Sequence, residues 1–271
     1  TLFPYTTLFR SIGLYIFNKN YLFERSKYIR NRIAEIEIKL ASKDFLSNQV
    51  FEENSLLNKK EIKSLENNFI LNNDIIIDKH LYFGSDKILI IQKGVKIFFR
   101  KDVTFHSEGS IFFNGTKEDP IIVYSNDSMG SIILSNNNFK LNNVIFKNLS
   151  YPKDKDKILY GGINIINADV EIIDSQIASS NSEDAINIIS SNSYIRNLRV
   201  NDIKADAIDI DFGNLNFTNI ACENIDNDCL DISGANVVGN FIEGSNIKDK
   251  GLSFGENAKG EISHINIRNS K

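Results

Sequence analysis

The feature that most constrains this chain is a pattern that repeats every 22 residues in its C-terminal half. Equivalent positions of four successive repeats are occupied by Asp184, Asp206, Asp228 and Lys250. An aliphatic residue follows each of them two positions later, and another apolar residue follows after two more. Self-similarity at a fixed period of about 20 to 50 residues is typical of a solenoid, in which each repeat stacks on its neighbours.

The repeats are built from strands, because apolar and polar residues alternate within them, as in Ile208, Asp209, Ile210 and Asp211. A period of two places the apolar side chains on one face of a strand. Helical spacing is interrupted throughout by Asn, Asp and Ser, and the isoleucine columns do not follow the spacing of leucine-rich repeats. Asparagines at 136–138 and 142–143 have the character of stacked turn residues. We therefore predict an all-β solenoid of three short parallel sheets, with roughly nine coils of 22 residues from about residue 75.

The residues before the repeats form a separate region. Residues 1–11 match, letter for letter, a translated short-read sequencing adapter, so we exclude them from the fold and expect the natural N-terminus to be missing. Residues 12–58 are predicted to be a helical anchor or spacer, with an amphipathic helix at 21–42. The apolar run at 12–17 is shorter than the roughly 20 residues of a membrane helix, but it is compatible with the end of a signal anchor.

A cap is predicted at the start of the solenoid. The first coil exposes apolar side chains and strand edges that must be covered. A short helix at 59–69, with Ile62, Leu65 and Phe69 on one face, is the predicted cover. The capped solenoid then runs over residues 59–271, and we expect it to be truncated because the chain stops within a repeat.

Several segments resemble known β-helix proteins. The stretches 93–99, 109–116 and 119–121 resemble the opening coils of right-handed parallel β-helix proteins with the pectin-lyase-like fold. The stretches 206–211, 227–233 and 249–256 resemble β-helix tails of large bacterial surface proteins, some of which carry a spore-coat-kinase-like (CotH-type) domain. The resemblance covers about residues 75–271 and implies a single-stranded right-handed parallel β-helix. It implies little about activity, because this fold hosts lyases, hydrolases, epimerases and adhesins.

The candidate site is a column of acids. Asp209 and Asp231 are 22 residues apart, so they are predicted to lie side by side on successive coils. Carboxylates this close repel one another unless one holds a proton, a cation bridges them or a lysine neutralises them. One hypothesis is therefore a Ca²⁺ ion bound by Asp209, Asp211 and Asp231.

Two other hypotheses use the same acids. In the first, a carboxylate pair acts as acid and base on a glycosidic bond. In the second, the acids are a structural ladder, hydrogen-bonded to turn amides and neutralised by Lys250. Polygalacturonase-like enzymes use several aspartates on neighbouring strands with a histidine and a basic residue close by, and only their acids are matched here, by Asp206, Asp209, Asp228 and Asp231. Lyases of this fold use Ca²⁺ with an arginine or lysine base, and Lys250 is the only basic residue in the acidic register. The resemblance therefore implies a catalytic set of these four aspartates and Lys250.

The remaining reactive side chains fit poorly into a site. His80, His106 and His264 do not fall in the acidic register or at a shared metal-binding spacing, so each is predicted to be a surface residue. Cys222 and Cys229 lie in different columns of small or apolar residues, and we predict buried free thiols rather than a disulfide.

The leading functional hypothesis is an extracellular or envelope-associated module that binds polysaccharide or a surface partner without catalysis. The alternative is a polysaccharide lyase or hydrolase that uses the stacked aspartates, and a third hypothesis is a piece of a larger enzyme. A net charge of −4 and the lack of a basic patch beyond the first predicted helix argue against nucleic acid as a partner. A membrane anchor lost by truncation is compatible with residues 12–17.

Overall fold

The structure is a computed structural model that describes residues 62–65, 68–126, 129–153 and 159–270, the first of these segments by its backbone only. The described residues form a parallel β-solenoid of about eight coils, about 23 residues apart, with essentially no helix. The predicted all-β solenoid is thus confirmed. The coil number is slightly lower than nine because the coils before residue 184 contain insertions.

Each coil contributes one strand to each of three parallel ladders, which we call the first, second and third sheets. Within a coil the chain passes from the second sheet to the third and then to the first. The short strands of the second sheet are β2 (Asn68–Leu71), β5 (Ile88–Gln92), β8 (Ser110–Asn114) and β11 (Asn138–Asn142). Those of the third sheet are β3 (Ile75–Ile77), β6 (Lys96–Phe99), β9 (Ile121–Ser125) and β12 (Val144–Lys147). Those of the first sheet are β4 (Leu81–Phe83), β7 (Val103–Ser107), β10 (Gly130–Ser135), β13 (Gly161–Ile166) and β18 (Ser253–Gly255).

Later strands bend through the corners without interruption. The strands β15 (Asp184–Ile203), β16 (Asp206–Ile225) and β17 (Leu230–Ile247) each pass through all three sheets. The strands β14 (Asp169–Ala178) and β19 (Lys259–Arg268) join the second sheet to the third. The first sheet therefore holds the start of each long strand, where the acids lie.

The start of the solenoid is covered by a strand, so the predicted helix at 59–69 is wrong. The strand β1 (Ile62–Leu65) pairs antiparallel with β2, with Ile62 opposite Leu71. A short isolated helix is marginal in water, whereas pairing satisfies the free backbone edge of β2 directly. The predictions for residues 1–58, including the helix at 21–42, lie outside the described residues.

The interior is a continuous aliphatic column. Ile186, Ile208 and Leu230 are register partners on β15, β16 and β17, and all three are completely buried. A single coil leaves these side chains open on both sides, and the neighbouring coils cover them. Burying each one contributes roughly 1.5–3 kcal/mol, which makes stacking the main source of stability.

The corners explain why asparagine recurs at a fixed spacing. Asp202, Asn224, Asn246 and Asn269 have backbone φ angles of 59°, 56°, 56° and 52°. Asn and Asp enter this left-handed region at lower cost than other residues with a Cβ atom. Their side chains also form a ladder, in which each Asn Nδ2 donates to the Oδ1 atom one coil earlier at 2.9, 3.1 and 3.1 Å. Asn136 and Asn143 occupy the same backbone region, which confirms them as turn residues.

An insertion between β12 and β13 covers part of the first sheet. It separates the register partners Ile132 and Ile163, and its described residues end at Leu159 and Tyr160. Leu159 is buried against Ile133 and Ile166, in a cluster separate from the main core. Leu159 thus contributes to the burial of the outer faces of β10 and β13, which are buried on both faces.

Candidate functional site

Asp209 and Asp231 lie directly opposite each other on β16 and β17, as the repeat predicts. Both side chains point away from the aliphatic interior, because they alternate with buried isoleucines and leucine along their strands. Asn187, one coil earlier, donates its Nδ2 hydrogen to Asp209 Oδ2 at 2.7 Å. The next acid of β16, Asp211, has Ser233 as its register partner, so the carboxylate column continues there as a hydroxyl.

The other acids form a separate corner ladder. Asp206 Oδ1 accepts the backbone N–H of Asp228 at 2.8 Å, and Asp228 Oδ1 accepts the backbone N–H of Lys250 at 2.8 Å. Lys250 Nζ also donates to Asp228 Oδ2 at 3.1 Å. These contacts match the predicted structural ladder of carboxylates bound to turn amides and neutralised by Lys250. Of the implied catalytic set, Asp206, Asp228 and Lys250 thus lie at a corner. Asp209 and Asp231 lie on the outer face of the first sheet.

Burial raises the pKa of several of these acids. It raises the pKa of Asp206 to about 7, against the lowering effect of the backbone hydrogen bond from Asp228. It also raises the pKa of Asp211 to about 7, with a further contribution from the negative charge of Glu256. Such carboxyl groups hold a proton close to neutral pH, which is what a general acid requires.

The pKa values of three more acids are also raised. Burial is the main cause that raises the pKa values of Asp184, Asp209 and Asp231, and neighbouring carboxylates add to it. Lys250 is partly buried, which opposes its charge, but hydrogen bonds to Asp228 and Asp249 hold its pKa above the usual value. Lys250 therefore stays a cation at neutral pH.

Access to the acids is restricted. Asp206, Asp209 and Asp228 are 5%, 8% and 2% exposed. Three surface depressions formed by described residues, of about 700, 450 and 310 Å³, are not lined by any acid of this set. A glycosidase needs both of its carboxyl groups against the substrate.

The proposed calcium ligands are not arranged as a cation site. Among the residues that the structure describes, no three His, Cys, Asp or Glu side chains are placed to hold one metal ion. Calcium takes six to eight oxygen ligands, so three carboxylates would need further oxygens around the ion. Calcium binding stays a prediction.

A groove of about 700 Å³ crosses the outer face of the second sheet instead. Its centre is one column of side chains, one from each of six successive coils: Phe112, Lys140, Glu171, Tyr194, Asn216 and Val238. This column was not predicted from the sequence. Insertions make its first spacings irregular, and its members share no residue type.

Amide side chains line one side of this groove. Asn192 Nδ2 donates to Asp169 Oδ1 at 2.8 Å, Asn214 Nδ2 to Asn192 Oδ1 at 2.8 Å, and Asn236 Nδ2 to Asn214 Oδ1 at 3.2 Å. A smaller polar pocket of about 310 Å³ shares Asn192 and Asp169 and extends to Asn136. The amide ladder therefore separates two adjoining depressions.

Two predictions about other side chains need correction. His106 is buried rather than on the surface; its Nε2 lies 3.0 Å from Ser135 Oγ, and its ring packs edge-on against Tyr82. It faces outward from the first sheet and packs there between Tyr82 and Ser135 of the neighbouring strands. His264 is exposed, as predicted, and His80 is half-buried.

Cys222 and Cys229 form a disulfide, so the prediction of free thiols is wrong. Both residues are buried, as expected, with their Cα atoms 5.9 Å apart. Column positions show which residues stack along the solenoid axis, but not which ones meet across a corner within a coil. That corner, between the third and first sheets, brings the two sulfurs together.

Comparison with known proteins gives no family for this chain, so an assignment of function rests on the structure. No protein-family model matches this chain, and no curated protein matches it. Within the part of the chain that the structure describes, no helix has the length and apolar character needed to cross a membrane.

Proposed function

We propose that this chain is an extracellular or envelope-associated β-helix module that binds polysaccharide in the groove of the second sheet. The observation that carries the proposal is the groove itself, which combines an exposed aromatic ring, Tyr194, with a continuous rim of amide side chains. Apolar surface with a few convergent polar groups is the usual composition of a ligand site. Aromatic rings offer a flat apolar face to a sugar, and amides offer hydrogen bonds to its hydroxyl groups.

The disulfide supports an extracellular location. Disulfides persist in secreted and cell-surface proteins and are rare in the reducing cytosol. The Cys222–Cys229 bond is buried, which is typical of a structural disulfide. We further propose that the solenoid is a right-handed, pectin-lyase-like β-helix related to the tails of bacterial surface proteins. The parallel β-solenoid with three sheets is the architecture that this relation requires.

The binding proposal is tested by a glycan panel with two matched variants. Tyr194, in the groove, is 37% exposed, and Tyr151, outside it, is 40% exposed. We expect Tyr194→Ala to weaken glycan binding by about tenfold or more, while Tyr151→Ala leaves it unchanged. A wild-type protein that binds no glycan of a broad panel would overturn the proposal.

A second candidate function is a polysaccharide lyase or hydrolase, and the raised pKa of Asp211, about 7, favours it. Perturbed carboxyl groups of this kind are enriched at catalytic sites. Asp231→Asn is the suitable test, because Asp228→Ala also removes acceptors for the backbone and side chain of Lys250. The variant should abolish activity without lowering the melting temperature. A wild-type protein without turnover on acidic or neutral polysaccharides would exclude this function.

A further inference from the structure

We infer that the groove of the second sheet takes an uncharged, extended glycan laid along the solenoid axis, and that it rejects acidic glycans. This inference rests on the proposed function and specifies its ligand. Four features carry it: the charges in the groove, the unused hydrogen-bonding capacity of the amide ladder, the exposed apolar side chains and the spacing of the coils.

The charge balance disfavours a polyanion. Lys140 is the one basic residue that lines the groove, and its Nζ lies 2.9 Å from Glu171 Oε2. Asp169 lines the groove as well, so the three charged side chains carry a net negative charge. A chain of uronic acids would bring carboxylates against Glu171 and Asp169 with no free cation to meet them.

The amide ladder has unused donors and acceptors. An asparagine side chain carries two N–H donors and an oxygen with two lone pairs. Asn214 uses one donor toward Asn192 and one lone pair toward Asn236. One donor and one lone pair per rung thus remain for a ligand. A sugar hydroxyl both donates and accepts, so it can satisfy both.

The apolar part of the groove suits the carbon face of a sugar ring. Tyr194 and Val238 are 37% and 59% exposed, and Phe112 lies at the other end of the same column. Exposed side chains of this size beside hydrogen-bonding groups favour a ligand with one apolar and one polar surface. Neutral pyranose rings have this character.

The spacing of the coils sets the direction of the ligand. Strands of adjacent coils lie about 4.8 Å apart, so the six rungs from Phe112 to Val238 span about 24 Å. The rung spacing is close to the length of one pyranose unit in an extended chain. A glycan that follows the axis therefore meets a new side chain of the column with each sugar, and an amide on each of the rungs of Asn192, Asn214 and Asn236. A glycan that crosses the sheet leaves the groove after one or two units.

The experiment compares cello-oligosaccharides with oligogalacturonides of the same length by isothermal titration calorimetry. We expect the neutral series to bind, with an affinity that rises with length across the groove and does not depend on salt. The acidic series should bind at least about tenfold more weakly. Tyr194→Ala should weaken neutral binding by about tenfold or more, whereas the double variant Asp169→Asn, Glu171→Gln should strengthen acidic binding relative to neutral binding.

The possible outcomes separate this inference from the proposed function. If the acidic series binds as tightly as the neutral one, the inference is overturned and the binding module stands. If neither these probes nor any glycan of the panel binds, both are overturned. If the neutral series binds equally well to Tyr194→Ala, the ligand lies elsewhere and the inference fails.

Discussion

The carboxylates of Asp209 and Asp231 are brought to adjacent rungs of the first sheet by backbone pairing alone, since their strands are register partners throughout this region. Asp209 is buried, and Asp231 is half-buried. Two neighbouring carboxylates in a poorly solvated position cannot both be charged at low cost, so protons bind there more readily than to free aspartate. The folded protein therefore carries more protons than its unfolded chain does at mildly acidic pH.

Stability is expected to fall as the pH rises. Asp206 has a pKa of about 7 in the folded protein and 3.8 ordinarily. Between about pH 4 and pH 7 the folded state binds more protons than the unfolded state, so the free energy of unfolding decreases with pH across this window. One shift of this size corresponds to a few kcal/mol, at about 1.4 kcal/mol per unit. Melting temperatures from pH 4 to pH 8 provide the measurement.

The control for this prediction is Asp206→Asn, which keeps an oxygen for the N–H of Asp228 but cannot ionise. The variant should show a flatter pH profile than the wild type. A wild-type melting temperature that stays constant or rises from about pH 5 to pH 8 would contradict the raised pKa values.

The calcium prediction has a direct thermal test. If Ca²⁺ bridges Asp209, Asp211 and Asp231, adding it raises the melting temperature, because a ligand of the folded state stabilises that state. The double variant Asp209→Asn, Asp231→Asn should then lose the shift. No shift in the wild type would end the calcium hypothesis.

The repeat could be predicted because each coil carries its own geometric requirements. Left-handed corners favour asparagine at positions such as Asn224 and Asn246, and buried strand faces require Ile208 and Ile210. These requirements recur once per coil, so they appear in the sequence as a period. Residues one period apart stack on successive coils, which is why Asp209 and Asp231 were correctly predicted to be neighbours.

Features that depend on contacts across a coil, or on coils of unequal length, were not predictable in this way. The Cys222–Cys229 disulfide joins two columns that have no fixed offset in the sequence. The groove depends on Phe112 and Tyr194, which are aligned only after the insertion between β12 and β13 is known. The helix predicted at 59–69 failed because the same apolar residues also suit two paired strands.

The aliphatic column offers a matched pair of core variants. Ile242 and Ile265 are register partners, but the first is 0% exposed and the second 54% exposed, because no described coil covers it. Ile242→Ala should lower the free energy of unfolding by about 2–5 kcal/mol, whereas Ile265→Ala should change it by about 0.5 kcal/mol or less. Chemical denaturation of both variants measures the difference. Equal effects would mean that the two positions are equally covered in solution.

Reduction of the disulfide should destabilise the fold. The bond spans 7 residues, and a loop of this length restricts the unfolded chain by an amount worth about 2–3 kcal/mol. The melting temperature should therefore fall in the presence of a reductant, and the double variant Cys222→Ala, Cys229→Ala should show no such dependence. Two free thiols in the oxidised, denatured protein would show that the bond does not form.

A corner substitution separates backbone strain from side-chain hydrogen bonding. Asn224 has a φ of 56° and lies in the middle of its ladder. Asn224→Val should cost about 1–3 kcal/mol through strain, in addition to the lost hydrogen bonds. Asn224→Gly loses only the hydrogen bonds and should be the milder change. The melting temperatures of the two variants measure the cost of the strain. A valine variant as stable as the glycine variant would contradict the left-handed backbone at this corner.

The passage of β15, β16 and β17 through the corners without a break has a practical consequence. Over their 20, 20 and 18 residues, most backbone positions pair with the neighbouring coils. An endoprotease must bind an extended run of main chain in its cleft before it can cut. The paired backbone of these strands is not free to enter such a cleft. Within these three strands, digestion would have to wait for a whole coil to peel away.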